Sequence, residues 1–206
     1  MQKNNTKIIC ITGYSGSGKT EATPVLASSL PNSKYIGCDD YLPDYLIQFP
    51  TQTERVFGEP VTTKDGLEYF KQFEPKLTAE SWKKWHDDFL KFANPKLTSD
   101  VDSIISSHEP RFLIIEHMAL PFFDIWNKTD YKILIFANDI ELLVKKMEER
   151  DKLGCSRETV MKRHFGVKEY LDNTTYDCTI GNNYNESFYY DVKNLAPKII
   201  EMFEYQ

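Results

Sequence analysis

Residues 11–20 of this 206-residue chain read ITGYSGSGKT, and they follow directly on the apolar run Ile8-Ile9-Cys10. Lys7 to Thr12 is short, β-branched and closed by Gly13, which is the pattern of a buried strand. Lys19 to Leu30 has the texture of a helix and is stopped by Pro31-Asn32. Between the two, Gly13-Tyr14-Ser15-Gly16-Ser17-Gly18-Lys19-Thr20 fits G-x-x-x-x-G-K-[ST] without a mismatch, in the strand-then-helix context that this motif requires. Glycines let the backbone wrap closely enough for its N–H groups to face phosphate oxygens. The helix N-terminus adds the positive end of its dipole. In such a loop Lys19 reaches the β- and γ-phosphates of ATP, and the Thr20 hydroxyl is offered to Mg²⁺.

The rest of the chain extends this start into a sheet. Lys34 to Cys38 reads as a second strand running into Asp39-Asp40, Arg111 to Glu116 ("RFLIIE") as a third and Tyr131 to Ala137 ("YKILIFA") as a fourth. A last short strand lies near Cys178 to Ile180. Asp139 caps a helix through about Arg150. Val192 to Tyr205 is helical, with Pro197 implying a kink or a later start. Short apolar strands alternating with helices predict an α/β domain: a parallel five-stranded sheet with helices on both faces. Residues 41–108 differ in texture. They are rich in aromatics, punctuated by prolines, and carry Trp82, Trp85, Phe89 and Phe92 at helical spacing. We read them as a helical insertion of a single domain spanning 1–206, on the acceptor side. Their rings suit stacking on a base as well as a small hydrophobic core.

Net charge is −6, which argues against a general nucleic-acid binder. No apolar stretch is long enough for a bilayer, and the N-terminus is not a secretory signal. Cys10, Cys38, Cys155 and Cys178 form no Cys-x-x-Cys pair and read as reduced thiols, which points to a cytoplasmic location. The charge is uneven. Lys145 to Lys168 holds eight Lys/Arg against four Asp/Glu, a local +4 that leaves the remainder at −10. Either this island meets an anionic ligand or it is a solvated helix face.

A phosphate-binding loop names the ligand and not the reaction. NKTD at 127–130 resembles the guanine-reading motif of GTPases, but it precedes a strand where that motif ends one, and no Asp-x-x-Gly accompanies it. It reads as a polar loop. In an open parallel sheet, ligands sit beyond the carboxyl ends of the strands. Asp39 and Asp40 follow the second strand, taken as neighbour to the first, and Glu116 ends the third. Asp39 is placed to take a proton from an acceptor hydroxyl, and Glu116 to hold Mg²⁺, directly or through water. Asp40 is the better helix cap. Arg150, Arg157 and Arg163 fall in a lid at about 150–166, where forked guanidinium donors serve the charge on a transferring phosphoryl group. Arg157 is the one best read as a surface residue. His86, His108, His117 and His164 lack metal-ligand spacing and read as structural or exposed.

At these positions the chain resembles dephospho-coenzyme A kinase, in islands spread over most of its length. ITGYSGSGKT is similar to that family's opening loop. YIGCDDY resembles its strand ending in Asp-Ala-Asp, with Asp39 at the final Asp. LIIEHMALPFF is similar to its acid followed by Pro-Leu-Leu-Phe. ERDKLGCSRETVMKR resembles its lid, which maps Arg150 and Arg163. YDCTIGNN resembles its Ala-Asp-x-x-Ile-x-Asn segment, placing Asp177 and Asn182 near the adenine side. Gly37 stands where the family has its first Asp, and Asn94-Pro95 where it has His-Pro. The resemblance implies a Mg·ATP-dependent kinase of a small-molecule hydroxyl, foremost the ribose 3′-hydroxyl of dephospho-coenzyme A. A uridine- or cytidine-type nucleoside kinase is the alternative, and a nucleotide-binding regulator with little turnover is another. None of these features sets the oligomeric state.

Overall fold

The computed structural model describes residues 6–48, 74, 77–107, 109–150 and 156–204, without the side chain of Arg150. The chain opens with strand β1 (Lys7–Gly13) and helix α1 (Lys19–Ser29), followed by β2 (Ser33–Gly37) and α2 (Leu42–Gln48). A long helix α3 (Ala79–Ser106) leads to β3 (Phe112–Glu116), and two short 3₁₀ turns lead to β4 (Tyr131–Ala137). Then come α4 (Ile140–Arg150), α5 (Arg157–Asp172), β5 (Cys178–Asn182), α6 (Glu186–Lys193) and α7 (Leu195–Glu204). All five strands are parallel, in the order β2-β3-β1-β4-β5. Thus β1 is central and β3, not β2, is its neighbour. The sequence order suggested otherwise, because strand adjacency is set by where α3 returns the chain.

Side-chain alternation along β1 builds two cores. Ile9 and Ile11 join Phe112, Ile114, Ile133, Ile135 and Ile180 on one face, covered by Ala22 and Leu26 of α1 and by residues of α6 and α7. Ile8 and Cys10 join Leu113 and Ile115 on the other, covered by α2, α3 and by Val167 and Leu171 of α5. Tyr45, Trp82, Trp85 and Phe89 belong to this second core, with Tyr45 edge-on to Phe89 and Trp85 stacked on it. These four rings of the insertion are therefore packing residues. Phe49, Phe57, Tyr69, Phe70 and Phe73 lie outside the described residues.

Several boundaries differ from expectation. Cys38–Tyr41 forms a 3₁₀ turn, so Asp39 and Asp40 are not on an extended strand end. The polar lid segment expected at about 150–166 enters, at Arg157, a sixteen-residue helix that runs to Asp172 and is started by Ser156, whose Oγ accepts the Thr159 N–H. The C-terminal helix breaks at Asn194, and Pro197 falls in the first turn of α7, where a missing N–H costs no helical hydrogen bond. Asp139 does cap α4, its Oδ1 accepting the N–H groups of Glu141 and Leu142. In the NKTD loop, Asp130 Oδ2 accepts the Ile8 N–H at 2.8 Å and its own N–H donates to the Ile8 carbonyl at 2.9 Å. That motif laces β4 to β1 at the sheet edge opposite the glycine loop. Among the described residues no helix is long and apolar enough to cross a membrane. Cys10, Cys38 and Cys178 are free thiols, and burial pushes Cys10 up to about 12.

Candidate active site

The loop after β1 is pressed against three neighbours, which explains its glycines. Gly13, Gly16 and Gly18 all take positive φ, at 147°, 79° and 101°. A Cβ on Gly13 would lie 1.9 Å from the Ile135 carbonyl oxygen, and one on Gly18 would lie 2.4 Å from Asn182 Nδ2. Only glycine satisfies both the dihedral and the approach. Within this wrapped loop Ser17 Oγ is buried without a hydrogen-bond partner. Lys19 Nζ donates to the Tyr14 carbonyl at 2.9 Å, so this side chain helps the glycines hold the loop. Thr20 is exposed at the start of α1. Closely wrapped backbone, a buried hydroxyl lacking a partner and the buried Lys19 ammonium beside it fit a polyphosphate.

Beside the loop, Thr20, Thr23, Tyr35, Gly37, Asp39, Asp40 and Glu116 line a hollow of about 150 Å³. Glu116 is in register with Ile11 on one side and Gly37 on the other, which places it at the carboxyl edge of the sheet. Burial raises its pKa, with Lys19 acting in the opposite sense. Among the described residues no group of three or more His, Cys, Asp or Glu could hold a metal ion as a cage. Thr20 with Glu116 nevertheless fits Mg²⁺, which usually keeps several waters and takes only one or two protein ligands beside phosphate oxygens.

Asp39 faces His117, with 3.4 Å between Asp39 Oδ1 and His117 Nε2. His117 Nδ1 accepts the Ala119 N–H at 3.2 Å, so a neutral ring carries its proton on Nε2, on the Asp39 side but without hydrogen-bond geometry to it. Desolvation would raise the Asp39 carboxyl, but His117 and Lys19 outweigh it and hold it at about 2. The side chain is still 64% exposed, open to a ligand. Sequence reasoning took His117 as structural or exposed, since nothing in a linear pattern pairs it with Asp39. Behind it His86 is buried, stacked on Trp82 at 4.7 Å and near His117 at 5.8 Å, with both ring nitrogens lacking partners. Burial pushes His86 down to about 3, so its ring is uncharged at neutral pH.

On the other flank, α5 docks on the glycine loop. Tyr14 stacks on His164 with centroids 3.7 Å apart, and its hydroxyl donates to Asp172 Oδ1. Arg163 Nη1 lies 3.4 Å from Ser15 Oγ, while Nε and Nη2 grip the Glu74 carboxylate. The sequence anticipated Arg163 here but not Glu74. Arg157 pairs with exposed Glu141 on the surface. Arg150 ends α4, and its side chain lies outside the described residues, as do Cys155 and His108.

A second cleft, of about 430 Å³, runs along the outer side of the loop. Gly16, Gly18, Lys146, Met147, Asn182, Tyr184 and Phe188 are among its walls. Asn182 lines it with an amide that also holds the loop. Its Nδ2 donates to the Ser17 carbonyl at 3.0 Å and its Oδ1 accepts the Tyr184 N–H at 2.6 Å. Asn182 thus braces the loop. Asp177, expected nearby, instead accepts the Lys132 N–H at the far end of β5. Tyr184, whose hydroxyl donates to the Gly16 carbonyl, and Phe188 had no motif to announce them.

No protein-family profile matches this chain, and no curated protein matches it by sequence. Solved structures do. TT1252 from Thermus thermophilus superposes with a TM-score of 0.64 at 19% identity, covering 96% of this chain and 98% of that one. A gluconokinase from Sinorhizobium meliloti 1021 gives 0.55 at 13% identity, covering 100% and 99%. A dephospho-CoA kinase from Campylobacter jejuni gives 0.52 at 16% identity, covering 96% and 97%. With its central phosphate-loop strand and helices on both faces of a five-stranded parallel sheet, the chain has the fold of P-loop small-molecule kinases.

Proposed function

We propose that this protein transfers the γ-phosphoryl group of ATP to a hydroxyl of a small molecule. The observation that carries the reading is the convergence, at one edge of the sheet, of the glycine loop, Asp39 and Arg163. In this reading Gly13 to Thr20 bind the polyphosphate, Lys19 neutralises charge on the β- and γ-phosphates, and Thr20 and Glu116 would hold Mg²⁺. The metal, when bound, neutralises phosphate oxygens and keeps the chain in line. Arg163, and Arg150 by its lid resemblance, add positive charge where the transferring group carries most of it. The aromatic cleft beside Tyr184 and Phe188 would take the adenine.

Asp39 accepts the proton of the acceptor hydroxyl. A carboxylate held at about 2 is a weak base toward a free alcohol. It therefore acts first by aligning the hydroxyl, and takes the proton once the forming O–P bond has made it acidic. His117, 3.4 Å away, is the ring that faces this carboxylate. Dephospho-coenzyme A is the leading acceptor, supported by the resemblance of YIGCDDY and the lid segment. A nucleoside is the alternative, since the same chemistry serves any ribose hydroxyl.

The test is ADP formation from Mg·ATP against dephospho-coenzyme A, uridine, cytidine, gluconate and other small alcohols. Acceptor-dependent ADP release is expected with at least one, and its loss in Lys19→Ala at saturating ATP. Tight nucleotide binding with no acceptor-dependent release would overturn the kinase reading in favour of a nucleotide-binding regulator.

A further inference from the structure

Glu74 is a carboxylate in a place where a carboxylate is costly. Its side chain is 3% exposed, and an uncompensated buried charge would carry a large desolvation penalty. It is compensated with care. Oε1 accepts the Trp82 indole N–H at 2.7 Å and the Arg163 Nε–H at 2.7 Å, while Oε2 accepts from Arg163 Nη2. The flanking backbone is tied too, with Lys162 Nζ donating to the carbonyls of Glu74 and Leu77. One edge of the guanidinium is thereby gripped side-on, and the Nη1 corner is aimed at Ser15 in the glycine loop. A planar fork held along one edge cannot swing, so its remaining donors keep a fixed direction.

The grip depends on a close approach of α3 to α5. A Cβ on Gly166 would stand 2.3 Å from the Trp82 ring, so glycine is what lets the indole lie against α5 within reach of Glu74. Four residues from three separate parts of the chain are thus spent on orienting one arginine.

We propose that Glu74 is a positioning residue for phosphoryl transfer. It touches neither nucleotide nor acceptor. It acts through Arg163, holding the guanidinium at the loop before substrates arrive, with Trp82 as its own anchor. Pre-set donors lower the barrier because they need not reorganise when charge develops on the transferring group. This inference rests on the kinase reading above.

The experiment measures ADP formation at saturating Mg·ATP, with the best acceptor of the panel or with water where none is taken. ATP affinity is measured separately by displacement of a fluorescent ATP analogue. Glu74→Gln keeps the shape but replaces one acceptor oxygen with a donor facing donors. We expect it to lower kcat by about 10- to 100-fold with ATP affinity within about threefold, since the lost interaction belongs to the transition state. Arg163→Ala should lower kcat at least as much, and the double variant should be no slower than Arg163→Ala alone. Should Glu74→Gln not fold, Trp82→Phe decides: it removes the indole N–H that Glu74 accepts together with part of the indole ring, so only a several-fold loss of kcat that vanishes in the Arg163→Ala background supports the proposal. Wild-type kcat in the folded variant would overturn it, as would equal losses with and without Arg163. A wild-type chain that binds no ATP would overturn the nucleotide reading itself, and the proposal with it.

Discussion

Asp39 and Asp40 are neighbouring carboxylates on one 3₁₀ turn, and their partners separate them. Asp39 has His117 at 3.4 Å and the Lys19 charge nearby. Asp40 Oδ2 instead lies 3.7 Å from where a Gly37 Cβ would be, toward the β2 side of the hollow. Asp39→Asn should lower kcat about 10²-fold with ATP and acceptor affinities little changed, because asparagine keeps one acceptor oxygen but takes no proton. Asp40→Asn should stay within a few-fold of wild type; were it the inactive one, the two roles are exchanged. The pH dependence follows from sign. The folded Asp39 carboxyl lies below its ordinary value of 3.8, so its stabilising effect is complete above about pH 4 and is lost as pH falls toward 2. No acid limb of kcat between pH 5 and 8 should belong to it, which a rate profile of wild type against Asp39→Asn checks.

At the scale of elements, α5 is where sequence reading and structure diverge most. The charge of Arg157, Lys162 and Arg163 made the stretch to about residue 166 look like a polar lid. Yet Val160, Val167 and Leu171 are buried at helical spacing, and they carry the helix onto α3 and α4. Mixed charge hid the period because long basic side chains can lie over apolar ground or, like Lys162, end on carbonyls. Gly166→Ala tests the packing. Alanine improves helix propensity by about 1 kcal/mol. Against this, a methyl forced into the face of a buried indole costs about 1–3 kcal/mol. The ring is wedged against His86 and cannot yield cheaply, so a net loss of stability is expected, with slower turnover as Arg163 shifts. Denaturant unfolding and kcat of the same variant measure both, and unchanged stability would show that Trp82 moves aside freely.

For the molecule as a whole, β1 is the central strand and the carboxyl ends of β1, β2 and β3 share one edge, which assembles a site from residues as far apart as Ser15 and Arg163. A ligand bound there stabilises the entire domain by mass action. Mg·ATP at a hundredfold excess over its dissociation constant contributes about 2.7 kcal/mol, which raises Tm by about 5–10 °C in a domain of this size. Scanning calorimetry should show that shift in wild type and its near absence in Lys19→Ala. A shift that survives Lys19→Ala would place the nucleotide elsewhere.

The α/β class, the glycine loop, Glu116 at the end of β3 and the start of α4 were legible because each rests on local chemistry: strand period, three glycines at fixed spacing, a cap at Asp139. Such signals need only neighbouring residues. The pairing of His117 with Asp39, the grip of Glu74 on Arg163 and the use of Asn182 as a brace were not legible, since each joins residues that are distant in the chain. Strand order belongs with them: β3 lies beside β1 because a 28-residue helix carries the chain back there, and no residue of β2 announces that it will be second from the centre. Short-range patterns carry dihedral preference and burial. Contacts across the sheet edge exist once the helices have closed on it, and those contacts bring the glycine loop, Asp39 and Glu116 together.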